Sequence, residues 1–66
     1  MTTRVLVGDE DPFNLRLLEE VCDAAGYSVL SAPDGPAVLD VVARERPDLI
    51  LVDPRMPRLH GLEILR

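Results

Sequence analysis

Sixty-six residues hold one small domain or part of a larger one and exclude a two-domain enzyme, because single domains span roughly 50–200 residues. A hydrophobic share of 47% with 29% charged residues is the composition of a folded chain, not a disordered one. Twelve acidic residues against seven arginines and no lysine give a net charge of −5, which speaks against nucleic acid or an anionic membrane as the main partner of this segment.

Val5-Leu6-Val7 is a continuous apolar run with two β-branched valines, stopped by Gly8-Asp9-Glu10-Asp11, the pattern of a parallel strand covered on both faces. Asp11-Pro12 then supplies a helix N-cap acceptor and a proline for the first helical position. Leu15, Leu18, Cys22 and Ala25 fall on one stripe with Leu17, Val21 and Ala24 beside it, and Gly26 follows where a helix ends on a left-handed residue. Tyr27–Ala32 partly alternates, as a half-exposed strand near a sheet edge does. Pro33-Asp34-Gly35-Pro36 makes a turn and a second helix start, Ala37, Val38, Val41 and Val42 form its apolar face, and Arg44-Glu45-Arg46-Pro47 ends it. Leu49–Val52 is the second unbroken apolar strand and runs into Asp53. The prolines of Pro54–Gly61 predict a loop, and Leu62–Arg66 reads as the opening of a third helix. The result is an α/β fold in the order strand, helix, strand, helix, strand, helix start. Its sheet is parallel with right-handed crossovers and strand order 2-1-3, Val5–Val7 lying in the middle.

In such a sheet the ligand site lies beyond the carboxyl ends of the strands where the winding reverses, here between the first and third strands. Asp9, Glu10 and Asp11 leave the first strand there and Asp53 leaves the third. Like charges so close oppose one another's ionisation unless a cation lies between them. Oxygen-only ligands suit Mg²⁺, and carboxylates with Mg²⁺ at a strand end are the chemistry of phosphoryl transfer, with aspartate as a possible nucleophile. The plainer reading of any one of these acids is a solvated turn or cap residue, and Asp11 is expected to be spent as a cap. Cys22 reads as a small core residue, and one cysteine makes no internal disulfide. No paired Cys/His spacing suggests zinc, and apolar runs of four residues at most are far short of a membrane span. The chain is therefore expected in the cytoplasm.

Arg4 to Leu18 resembles the opening of two-component response regulator receiver domains, and Pro47 to Gly61 resembles the segment around their phosphorylated aspartate. Ala32-Pro33-Asp34-Gly35 is similar to the turn before their second helix. The resemblance covers the whole chain with the blocks correctly spaced. It implies a flavodoxin-like fold, a bacterial phosphorelay module that is not itself an enzyme, and a histidine kinase or phosphotransfer protein as partner. Asp53 would accept the phosphoryl group. Asp9 and Glu10 would hold Mg²⁺, Glu10 directly and Asp9 through water, with Asp53 and the backbone carbonyl of Arg55 as further ligands.

Glu10 stands where that family commonly has aspartate, Gly8 where it prefers an aliphatic residue, and Arg58 and His60 depart from the usual loop. Pro54 removes a backbone N–H next to the acceptor. A receiver has five strands and five helices, so residues 1–66 are expected to be its N-terminal part, without the later Thr/Ser and Lys that meet the phosphoryl group. With Leu49–Val52 as an edge, the segment alone is expected to self-associate or to belong with a missing C-terminal half. Two other readings stay open: a pseudo-receiver that only makes protein contacts, and, more remotely, a haloacid dehalogenase-type phosphatase suggested by Asp9-x-Asp11. In the latter family a Thr or Val is wanted where Phe13 stands.

Overall fold

The computed structural model describes residues 2–53, in the order β1 (Arg4–Gly8), α1 (Pro12–Ala24), β2 (Ser28–Ala32), α2 (Gly35–Glu45) and β3 (Leu49–Val52). The expected loop after Asp53, the third helix start and the Arg55 carbonyl lie outside the described residues. The three strands are parallel in the order β2-β1-β3, with the buried Val5-Leu6-Val7 run of β1 at the centre.

Each helix is bounded by local chemistry. The Asp11 carboxylate accepts from the Phe13 amide at 2.9 Å with Pro12 at the first turn, and the Asp34 carboxylate accepts from the Ala37 amide at 2.8 Å with Pro36 in the same role. At the end of α1 the Tyr27 amide donates to the Cys22 carbonyl and the Gly26 amide to the Asp23 carbonyl, with Gly26 at φ 92°. This is the Schellman arrangement that a left-handed glycine permits. It takes Tyr27 out of the second strand, which begins at Ser28. α2 ends differently: Arg46 itself adopts the left-handed conformation at φ 47°, immediately before Pro47.

Alternation along β1 divides the core. Val5 and Val7 meet Cys22, Leu15 and Leu18 of α1, while Leu6 meets Ala32 of β2 and Val38 of α2, with Val41, Val42 and Val52 packed around them. The stripe expected on α1 is therefore buried at Cys22 and half-buried at Leu15 and Leu18, while Ala25 at its end is exposed. Its neighbours are not: Leu17 and Val21 are each 58% exposed and Phe13 is 86% exposed. Leu49, Ile50 and Leu51 of β3 are exposed, in line with the open apolar edge expected at this strand. As the edge of the sheet, β3 has a neighbour on one side only among the described residues. No described helix is long and apolar enough to cross a membrane.

Candidate functional site

The β1–β3 register pairs Val5 with Leu49, Leu6 with Ile50, Val7 with Leu51 and Gly8 with Val52. Asp9 and Asp53 are thus the next residues on neighbouring strands, each one step past its ladder. The last tie is the Asp53 amide, which donates to the Gly8 carbonyl at 3.2 Å, while on the other side the Asp9 amide donates to the Ala32 carbonyl at 3.3 Å. Backbone bonds hold both residues at the carboxyl end of the sheet.

Both line one open cavity of about 400 Å³, together with Asn14, Leu18, Ile50, Leu51 and Val52. Asp9 is the only buried acidic residue among those described, at 7% exposure. One of its oxygens, Oδ1, accepts from the Asp11 amide at 2.9 Å, an Asx turn that fixes the carboxylate's orientation. Glu10 lies on the turn between them, exposed and off the cavity wall. Asp11 is occupied at the α1 cap, as expected. The structure therefore brings Asp9 and Asp53 together and leaves Glu10 exposed on the turn, outside the cavity lining.

Asn14 was not singled out from the sequence, although the signal was there. It precedes Leu18 by one helical turn, so the face that buries Leu18 carries Asn14 toward the strand ends. It adds a neutral amide, which can donate and accept, to the two acids.

The described donors suit a hard cation: they are oxygens, one acid is buried, and Mg²⁺ takes one or two carboxylates while keeping several waters. Among the described residues no group of three or more acidic, His or Cys side chains forms a complete cage. The set fits an ion completed by water and phosphate oxygens better than a closed structural metal site.

The family model for the response regulator receiver domain matches residues 5–66. The chain belongs to the receiver domain family. Over its whole length it is 44% identical to the response regulator PleD of Caulobacter vibrioides, of which it spans 14%. It is 42% identical to the sporulation initiation phosphotransferase F of Bacillus subtilis, spanning 53% of that protein, and 44% identical to the response regulator MprA of Mycobacterium bovis, spanning 29%. The solved chemotaxis response regulator CheY4 of Vibrio cholerae superposes with a TM-score of 0.84 at 29% identity, covering 98% of this chain and 54% of that one. The receiver fold is thus flavodoxin-like, and the chain spans about half or less of the relatives it matches. This places it among the modules of two-component signalling.

Proposed function

We propose that this receiver is the phosphoacceptor segment of a phosphorelay, with Asp53 as the acceptor. The observation that carries the reading is the placement of Asp53 beside the buried Asp9 on adjoining strand ends, facing one cavity. An Asp53 carboxylate oxygen attacks phosphorus, the phosphorus–nitrogen bond of a phosphohistidine breaks, and the imidazole leaves with the bonding pair. The donor is a histidine kinase or a phosphotransfer protein, and the chain is the substrate of that step, not an enzyme.

Asp9, Glu10, Asp53 and the backbone carbonyl of Arg55 are the proposed Mg²⁺ ligands. When bound, the ion neutralises charge that builds on the transferring phosphoryl oxygens. Asp9 is fixed by its turn to Asp11, so its carboxylate stays aimed at the site before any ion arrives. Glu10 would have to reach the same site from the exposed turn, and its side chain is one methylene longer than that of aspartate. The Asp53 amide is tied back to Gly8, which directs the acceptor's backbone along the strand and leaves its side chain toward the cavity. The cellular setting that fits this reading is the cytoplasm.

A pseudo-receiver that makes contacts without phosphorylation draws support from one feature, Pro54, which removes the backbone donor next to Asp53. Treatment with acetyl phosphate and Mg²⁺, read by intact-protein mass spectrometry, separates the two. A phosphate-sized mass gain abolished by Asp53→Asn supports the phosphoacceptor, and equal labelling of that variant refutes it. The phosphatase reading has lost its second acid, since Asp11 is engaged at the helix cap.

A further inference from the structure

Gly8 is the last residue of β1 and sits beside Val52, the residue before Asp53. A methyl group at Gly8 would lie 2.8 Å from Val38 Cγ2 and 3.0 Å from Val52 Cγ1, with the Ala32 carbonyl at 3.5 Å. The first two distances are closer than carbon atoms approach without one of them moving. The reason for a glycine here is space and not backbone freedom, because Gly8 is an ordinary strand residue without a positive φ.

The two neighbours differ in how they can respond. Val38 is fully buried in the α2 cluster at 0% exposure, with Leu6 and Ala32 around it, and a β-branched side chain has little rotamer freedom. Val52 is half-buried and ends the edge strand, which has a neighbouring strand on one side only among the described residues, so it is the less firmly held of the two. Because Val38 holds its place, an added methyl is pushed away from α2 and against Val52, and the next residue along is Asp53; with Val38 trimmed, the methyl can instead settle toward α2. The same glycine also provides the carbonyl that receives the Asp53 amide.

We propose that Gly8 is a positioning residue for Asp53: by leaving out a side chain it lets α2 and the end of β3 close together, and so sets where the Asp53 carboxylate stands relative to Asp9. The consequence for phosphorylation rests on the phosphoacceptor reading, whereas the placement of Asp53 does not.

The test uses the full chain as native protein, Gly8→Ala, Val38→Ala and the Gly8→Ala/Val38→Ala double variant. Two quantities are read in each: hydrogen exchange at the Asp53 amide by NMR, and the rate of acetyl phosphate labelling with Mg²⁺. Gly8→Ala is expected to expose the Asp53 amide to exchange beyond any change in the amides of α1. It is also expected to slow labelling on the order of tenfold to a hundredfold, the scale of an ångström's misplacement of a reacting group. Removing the Val38 methyls gives the new methyl room, so the double variant is expected to recover both quantities. Val38→Ala alone is expected to lower the melting temperature while labelling at the native rate. Native exchange at Asp53 in a folded Gly8→Ala variant overturns the proposal, as does a double variant that fails to recover or fails to fold. If Gly8→Ala does not fold, the double variant decides alone: a protected Asp53 amide in it supports the proposal and an exposed one overturns it. If native protein takes no label, the phosphoacceptor reading fails, and the exchange arm still tests the position of Asp53.

Discussion

Asp48 and Arg4 exchange a pair of 2.8 Å hydrogen bonds that clamp the start of β3 to the start of β1: Asp48 Oδ2 accepts from the Arg4 amide, and the Asp48 amide donates to the Arg4 carbonyl. This clamp sits at the opposite end of the strands from the two acids and begins the register that ends with them. The Arg4 guanidinium also meets Glu45 at 3.0 Å, but the two side chains are 38% and 41% exposed, and such pairs contribute little.

Removing the clamp's side chain separates these contributions. Asp48→Ala is expected to lower stability by about 1 kcal/mol, the usual net value of a hydrogen bond, while Asp48→Asn keeps an acceptor and loses less. Glu45→Gln is expected to change stability by under about 0.5 kcal/mol, because its pair is partly solvated. Urea denaturation of the variants measures all three, and a larger loss from Glu45→Gln than from Asp48→Ala contradicts the ranking.

The acids after β1 have different work and are expected to separate in experiment. Asp11→Ala removes the α1 cap and costs about 1 kcal/mol in thermal or chemical denaturation, with divalent-ion affinity largely kept. Asp9→Asn and Glu10→Gln are expected to weaken Mn²⁺ or Mg²⁺ binding, measured by titration calorimetry, with a smaller effect on the fold from the exposed Glu10. Loss of the metal site in Asp11→Ala with stability untouched contradicts this division.

Arg46 carries a strained backbone that glycine relieves. A non-glycine residue in the left-handed region costs about 1–2 kcal/mol, and glycine's extra freedom in the unfolded chain offsets part of that gain. Arg46→Gly is expected to raise stability by about 0.5–1 kcal/mol. A lower denaturation midpoint indicates that the Arg46 side chain contributes more than its backbone costs.

The exposed faces make a prediction about the 66-residue chain in isolation. Leu49, Ile50 and Leu51 on the edge strand and Phe13, Leu17 and Val21 on α1 present apolar surface on two elements. An open apolar strand edge is a template for pairing. Light scattering at rising concentration is expected to show association, and the unfolding midpoint is expected to rise with protein concentration. A monomer whose midpoint is independent of concentration shows that these residues close their own core.

The element order, the two caps, the glycine end of α1 and the central place of β1 were all legible in the sequence, because each depends on neighbours within a few residues or on unbroken apolarity. Asp11 announces a helix start through the proline beside it, and Gly26 an end through its freedom at positive φ. The open edge at Leu49–Leu51 was legible too, whereas the exposure of Leu17 and Val21 was not, since periodicity marks an apolar face without saying what stands opposite. Nor was the division between Asp9 and Glu10, although the cap role of Asp11 was. Asp9, Glu10 and Asp11 are consecutive in the chain, yet the pairing of Gly8 with Val52 sets Asp9 beside Asp53, while the turn leaves Glu10 in solvent and the helix takes Asp11. Residue types and local spacing determined which groups reach the strand ends. Register between strands more than 40 residues apart, and the closeness of Val38 and Val52 to Gly8, decided which of them meet, because both depend on packing across the sheet that no local pattern encodes.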